Sequence, residues 1–171
     1  MKRVLLLLLG AFVVVGLVVL AVGWSLPVQH RASGSVRVAA PPAAVFALVT
    51  NVAEYPAWRT GVTSVEVLAR DEAGAPMRFR ERGGDGDILF EVAERIPERR
   101  LVTRIADPSL PFGGRWTFDF TPTGGGTELR ITEDGEVYNP LFRFVSRFIL
   151  GHERSIVRFL ADVERKLTSD R

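Results

Sequence analysis

The hydrophobic positions along the chain follow three different patterns. Residues 4–22 are apolar without a single charge, and only glycine interrupts the run. Over residues 62–138 apolar and polar side chains alternate, which is the period of half-buried strands. Over residues 140–167 apolar side chains recur at helical spacing. These patterns predict an apolar N-terminal helix, an antiparallel sheet and a long C-terminal helix.

The last segment, residues 140–167, is predicted to be a single amphipathic helix around which the domain is organised. Its apolar stripe is too wide for a coiled-coil seam, so we expect it to pack against a curved antiparallel sheet. Such a pairing can leave a hollow between helix and sheet. The apolar face holds Leu141, Val145, Phe148, Ile149, His152, Ile156, Phe159, Leu160, Val163 and Leu167, and the opposite face holds Arg143, Arg147, Arg154, Arg158 and Arg165.

The apolar N-terminal run is long enough to span a bilayer, and it exceeds the apolar core usual in a cleaved signal peptide. Lys2 and Arg3 precede it, and the next cation is Arg31, so the positive-inside rule places the N-terminus in the cytoplasm and the domain outside. Trp24 occupies an interfacial position. An uncleaved single-pass anchor is favoured, and cleavage after the small residues near Gly23 is the alternative. The predicted divisions are an anchor at 1–24, a linker at 25–30 and one domain at 31–171.

Turn residues divide the alternating region into six strands, and a seventh strand starting at His30 precedes it. A short helix follows Pro42, because proline is well tolerated in a first helical turn. A second short turn carries Tyr55 and Trp58. An antiparallel sheet with helices gathered on one face is an α+β domain. The six strands are predicted at about residues 62–69, 77–82, 87–96, 100–106, 115–121 and 127–137.

Charge and composition argue against several classes of function. Without Lys2 and Arg3 the chain has 20 basic and 20 acidic residues, so the part beyond the anchor is formally neutral and nucleic-acid binding is not expected. The chain has no cysteine and two histidines, so we expect no disulfide, no thiolate nucleophile and no metal. No glycine-rich phosphate loop follows a strand, and no cofactor is expected.

Several motifs occur in an order that is specific enough to indicate a fold. They are Ala40-Pro-Pro-Ala-Ala-Val-Phe, Tyr55-Pro-Ala-Trp58, Trp116-Thr-Phe-Asp-Phe, Gly126-Thr-Glu-Leu and the terminal helix. Over about residues 31–167 the chain resembles the polyketide cyclase/dehydrase branch of the START-like, or SRPBCC, superfamily. The resemblance implies a helix-grip fold, in which a seven-stranded sheet wraps the C-terminal helix around a deep hydrophobic cavity. Members bind lipids, sterols, quinones, hormones or polyketides, and a minority catalyse reactions on them.

Inward-facing residues are expected to share the phase of the large apolar residues in each strand. An apolar wall with few polar groups suits a hydrophobic ligand. The alternative is that the same side chains simply fill a solid core, as we expect of many of them. The predicted ligand-binding residues are Phe79, Phe90, Thr103, Trp116, Phe118, Ile131, Phe148 and His152, and Leu101, Leu129 and Glu133 share the same phase.

Two polar residues are candidates for chemistry. His152 lies near the middle of the apolar stripe, where an imidazole can act as acid, base or hydrogen-bond donor. The alternative is a structural histidine bonded to a carbonyl or a carboxylate. Glu133 either points into the cavity, with Arg104 or His152 as its partner, or lies at a water-filled rim beyond the end of its strand.

Three functions are compatible with these patterns. The favoured one is a membrane-tethered module that holds or carries a hydrophobic small molecule such as a lipid, an isoprenoid or a polyketide-like compound. The second is a cyclase or dehydratase that uses His152 and Glu133 as acid and base. The third is a non-catalytic interaction module with a solid core. The patterns favour binding over catalysis and do not indicate an oligomeric state.

Overall fold

Seven strands form one antiparallel sheet in the computed structural model, which describes residues 1–151 and 153–169. The strands are β1 (Gln29–Val38), β2 (Val62–Arg70), β3 (Pro76–Gly83), β4 (Gly86–Ile96), β5 (Arg100–Ile105), β6 (Phe112–Thr123) and β7 (Gly126–Val137). Their order in the sheet is β1-β7-β6-β5-β4-β3-β2, so the first strand pairs with the last. The predicted seven-stranded α+β architecture is confirmed, and each strand in the alternating region ends within three residues of its predicted bounds.

The helices precede the sheet, follow its first strand and follow its last. They are α1 (Lys2–Ser25), α2 (Pro42–Thr50), α3 (Tyr55–Trp58), α4 (Pro140–Val145) and α5 (Arg154–Ser169), with a 3₁₀ turn at Val52–Glu54 and a π-helical turn at Ser146–Leu150. Pro42 occupies the first turn of α2, where its missing N–H costs nothing. Asn139 caps α4, because its side chain accepts hydrogen bonds from the backbone N–H groups of Leu141 and Phe142.

Helix α5 is the helix that the sheet grips. Its buried stripe contains Ile156, Phe159 and Val163, which pack in one core with residues of α2, α3 and the inner face of the sheet. Strand β1 carries Gly34 at the crossing, where an added Cβ would lie 3.1 Å from side-chain carbons of both Ile156 and Leu160. The missing side chain therefore lets the helix lie close to the sheet.

The expected single helix over residues 140–167 is wrong in one respect, because Gly151 interrupts it. Gly151 has a φ of 74°, a left-handed conformation that ends a helix and that glycine adopts at no steric cost. The half before the break buries little of its predicted apolar face in the domain: Val145 is half-buried, but Phe148 and Ile149 are exposed. Arg143, expected on the outer face, is buried. The half after the break buries the predicted apolar stripe. Arg158 of that half, also expected on the outer face, instead lines the hollow between helix and sheet and pairs there with Asp85.

Helix α1 is long and apolar enough to cross a membrane, with a mean hydropathy of 3.2 in its most apolar window and no residue of that window buried. Its last turn packs against α4. Gly23 is buried there, and a Cβ on it would collide with the backbone carbonyl of Pro140. Arg143 also donates a hydrogen bond of 2.7 Å to the carbonyl oxygen of Leu26, directly after α1.

Candidate functional site

A cavity of about 400 Å³ lies between the inner face of the sheet and the helices that cover it. Strands β3 to β7 form one side, and α4, the π-helical turn and the start of α5 form the other. Its volume falls within the range of about 300 to 1,000 Å³ that is typical of small-molecule sites. The expected hollow between helix and sheet is therefore present.

Aromatic side chains make up much of the cavity wall. Phe79 and Phe90 are register partners on β3 and β4, and their rings stack with centroids 5.4 Å apart. On the helix side Phe159 packs against Trp116 and Phe118 at centroid distances of 6.1 and 5.4 Å. Rigid rings of this kind offer large apolar contact surfaces to a planar hydrophobic ligand.

One end of the cavity is polar and is built around Arg59. Its guanidinium packs against two aromatic rings that meet nearly edge to face, 4.7 Å from the centroid of Tyr55 and 4.6 Å from that of Phe159. Its Nη1 donates a hydrogen bond of 2.6 Å to Glu81, and both side chains are only 12–13% exposed. Burial raises the pKa of the Glu81 carboxyl above its ordinary value, and the charge and hydrogen bond of Arg59 oppose that rise.

Helix α5 fixes the backbone on both sides of Arg59. Asp162, a buried carboxylate, accepts hydrogen bonds of 2.7 and 2.8 Å from the backbone N–H and the hydroxyl of Thr60. Arg165 donates one of 2.9 Å to the carbonyl oxygen of Trp58. Because its two chain neighbours are both held, Arg59 has a defined position at the cavity wall.

A second polar group of the wall is the pair His30 and Glu133. The Nε2 atom of His30 lies 3.5 Å from Oε1 of Glu133, and both side chains are largely buried. The register explains why Glu133 faces inward, since Thr103, Trp116 and Glu133 are consecutive partners across β5, β6 and β7. Glu133 is thus in the cavity wall, and its close partner is His30 instead of Arg104, which bonds Glu91.

Gly135 makes room for this pair. It is the register partner of His30, and a Cβ on it would overlap the Cε1 and Nε2 atoms of the imidazole ring. The same Cβ would lie 3.1 Å from Oε1 of Glu133. A glycine at this point of β7 therefore allows the imidazole to lie against the strand, next to the carboxylate.

The predicted site residues fall into four groups. Phe79, Phe90, Thr103, Trp116, Phe118 and Glu133 line the cavity. Ile131 does not, because it is fully buried in the solid core together with Leu101 and Leu129. Phe148 is 59% exposed and packs on Phe144 outside the cavity. His152 lies outside the described residues, so its role and that of the lining residues in binding stay predictions.

Several polar cavity residues lie outside the set predicted from the sequence, among them Arg59, Glu81, Arg158 and His30. Glu81 and Arg158 belong to charged patterns that are typical of solvated faces. Arg59 follows a motif whose aromatic residues, Tyr55 and Trp58, gave the only local signal. His30 lies at the predicted border between linker and strand, and only the pairing of β1 with β7 brings it to Glu133.

The described residues contain no cluster of three His, Cys, Asp or Glu side chains able to hold a metal ion. The polar groups of the cavity instead include three pairs of a basic and an acidic side chain, which are Arg59 with Glu81, Arg158 with Asp85, and His30 with Glu133. Such groups can orient a hydrophobic ligand through its carbonyl or hydroxyl oxygens.

A sheet that grips a C-terminal helix over an apolar cavity defines the helix-grip class of α+β domains. The sequence of residues 29–168 matches the family described as polyketide cyclase/dehydrase and lipid transport. Because this match covers most of the chain, the protein belongs to that family. The superfamily expected from the sequence motifs is thereby confirmed.

Comparison with characterised proteins agrees with this assignment. The chain is 35% identical over 99 residues to the granaticin polyketide synthase bifunctional cyclase/dehydratase of Streptomyces violaceoruber, covering 54% of this chain but only 30% of that protein. A START superfamily protein from Mycobacterium smegmatis superposes with a TM-score of 0.69 at 20% identity, covering 83% of this chain and 99% of its own. The Zhui aromatase/cyclase from a Streptomyces species superposes with a TM-score of 0.66 at 15% identity. The match covers 82% of this chain and 94% of the Zhui chain. These structural similarities show a shared fold.

Proposed function

We propose that the protein is a membrane-anchored domain that holds a hydrophobic, ring-containing small molecule in the cavity between its sheet and α5. In this proposal α1 spans the membrane with Lys2 and Arg3 on the cytoplasmic side and the domain on the other. The observation that carries it is the cavity of about 400 Å³ with its aromatic wall. The family assignment supports a ligand of this kind.

Burial of apolar surface supplies the binding free energy in this proposal. A two- or three-ring ligand that loses about 300 Å² of apolar surface to the wall gains about 7 kcal/mol. Association costs offset several kcal/mol of this gain. Arg59 donates to a carbonyl or hydroxyl oxygen of the ligand at the polar end, because its guanidinium has more donors than Glu81 uses. Orientation therefore comes from Arg59 and affinity from the rings.

The test is ligand binding by the full chain in lipid nanodiscs. Saturation-transfer NMR with α-tetralone, a two-ring ketone, should show binding to the protein above the level in empty nanodiscs. Thr103→Phe places a ring in the cavity and should abolish that excess, whereas Ile96→Phe changes an exposed side chain at the end of β4 and should not. Equal signals from wild type, both variants and empty nanodiscs would overturn the proposal.

A second candidate function is acid–base catalysis on the bound molecule. It is favoured by one observation, the His30–Glu133 pair in the cavity wall. Such a pair can take a proton from the carbon next to a carbonyl group, and general acid–base help contributes about 10² to 10⁴ fold. The relative from Streptomyces violaceoruber is a cyclase/dehydratase, which is chemistry of this type.

Proton exchange measures this activity directly. Incorporation of deuterium next to the carbonyl of α-tetralone should be faster with the wild type than in buffer, and slower with Glu133→Gln or His30→Gln. Glu136→Gln is the matched control, because Glu136 also lines the cavity but accepts its hydrogen bond from Tyr138. If the Glu136 and Glu133 variants behave alike, the pair has no special role.

A further inference from the structure

The segment that follows the sheet, Pro140 to Gly151, lies at a defined height relative to α1. At 1.5 Å per residue, the 20 residues from Val4 to Gly23 extend over about 30 Å, which is the thickness of the hydrocarbon core. Gly23 therefore marks the border between hydrocarbon and headgroups. Because Gly23 contacts Pro140, the segment begins at that border. This inference rests on the proposed membrane span of α1.

Two contacts hold the segment at this height. The close approach of Gly23 to the backbone of Pro140 leaves no room for a side chain between them. Arg143 is buried and donates hydrogen bonds to the carbonyl oxygens of Leu26 and Tyr138, at 2.7 and 3.4 Å. Separation of the segment from α1 would remove the Leu26 acceptor and leave the buried guanidinium only partly compensated, so it is unfavourable.

The same segment presents apolar side chains to its surroundings. Leu141, Phe142, Phe148 and Ile149 are 48–69% exposed, although a helical segment of a domain in water normally buries such residues. Trp24, at the end of α1, is also exposed, and tryptophan is enriched at the membrane interface. Clustered exposed apolar residues mark an interaction surface. Next to a membrane-spanning helix, the partner in reach is the bilayer itself.

The segment also forms part of the cavity wall. Phe142, Val145, Ser146 and Gly151 line the cavity. The π-helical turn at Ser146–Leu150 begins at one of these wall residues and ends directly before another. One thin element therefore separates the cavity from the side on which the apolar residues are exposed. Arg147 in the segment and Arg154 after the break are exposed cations of the kind that anionic headgroups attract, and the exposed carboxylate of Glu153 lies next to Arg154 in the chain.

We propose that the Pro140–Gly151 segment lies in the membrane interface, with Phe148 and Ile149 among the lipid acyl chains, so that the cavity exchanges its hydrophobic ligand directly with the bilayer. A hydrophobic molecule dissolved in the membrane then reaches the aromatic wall without crossing water. The segment is then the wall between the cavity and the acyl chains of the bilayer, and its contact with α1 sets its depth in the membrane.

The chain has no cysteine, so single cysteines can carry a nitroxide label without further changes. We would place labels at Phe148→Cys, Ile149→Cys and Val13→Cys in the full chain in phosphatidylcholine nanodiscs, with Ile96→Cys as the control. The ratio of collision rates with oxygen, which concentrates in acyl chains, to those with a water-soluble nickel chelate should be several-fold higher at the first three sites than at Ile96.

The outcomes separate this inference from the membrane span on which it rests. Water-like ratios at Phe148 and Ile149 with a lipid-like ratio at Val13 overturn the inference and leave the anchor intact. A water-like ratio at Val13 overturns the anchor, and the inference with it. Gly23→Leu should move the Phe148 label toward water by forcing Pro140 away, whereas Gly16→Leu, with open space around its Cβ, should not. Equal ratios in these two backgrounds would show that the contact with α1 does not set the depth.

Discussion

The replacement of Gly135 by alanine tests the geometry of the His30–Glu133 pair. The added Cβ would overlap the imidazole ring of His30 and lie 3.1 Å from Oε1 of Glu133. Because the overlapping atoms are the end of a side chain, the ring can rotate away without moving the backbone. Such a rotation moves the ring away from Glu133, whose Oε1 lies 3.5 Å from Nε2 of His30 in the wild type. The alanine should therefore break the pair and leave the fold intact.

The expected cost of this change is moderate. Overpacking of a buried site costs about 1 to 3 kcal/mol, and the freedom of the ring to move places this case at about 1 to 2 kcal/mol. In a domain of this size each kcal/mol corresponds to about 2 to 4 °C in Tm. Thermal unfolding followed by circular dichroism should show a Tm lower by about 2 to 8 °C.

Two controls give the measurement its meaning. Gly125→Ala, in the β6–β7 turn, adds the same methyl group where no atom lies within 4 Å, and its Tm should be unchanged or slightly higher. In a His30→Ala background, Gly135→Ala should cost much less, because the ring it displaces is absent. If Gly135→Ala costs the same with and without the ring, the clash with His30 is not the cause and the reasoning is refuted.

Two further predictions concern the polar end of the cavity. Asp162→Ala removes, from a buried site, the carboxylate oxygens that accept the two hydrogen bonds of Thr60. In urea denaturation it should lower the free energy of unfolding by about 3 kcal/mol. A loss below about 1 kcal/mol would show that water replaces the carboxylate. Because the pKa of Glu81 is raised by burial, the native state binds its proton more tightly than the unfolded state. The stability of the wild type relative to Glu81→Gln should therefore fall as pH rises above about 4.3. A relative stability that rises over that range would show that attraction to Arg59 outweighs desolvation.

Much of the fold could be predicted from local pattern. The period of two and the turn residues located all seven strands, because each strand has one face in the core and one in solvent. The same phase predicts Phe79, Phe90 and Trp116 at the cavity wall, where the structure has them, whereas for Glu133 it leaves a cavity position and a rim position open. Phase alone does not separate residues of the cavity wall from residues of the solid core. Ile131 is therefore predicted to bind ligand, although it is fully buried in the packed core.

The features that the sequence did not predict depend on contacts between distant segments. Periodicity continues across Gly151, so the pattern gave no sign that the helix breaks there or that its first half packs against α1. Arg59 has its place because Tyr55, Phe159 and Glu81 surround it, and these residues lie on three different elements. A local pattern contains no information about such neighbours.

The pairing of β1 with β7 has a consequence for how the domain is made. Gln29 pairs with Glu136 and Val38 with Thr127, so β1 is made before the rest of the sheet, and in the described part of the chain its one partner strand lies about a hundred residues later. Contacts of such long sequence separation form late and slowly. The sheet therefore closes only after β7 has been synthesised, and until then β1 is an unpaired edge directly attached to α1. A chaperone that protects this edge during synthesis should raise the yield of folded protein.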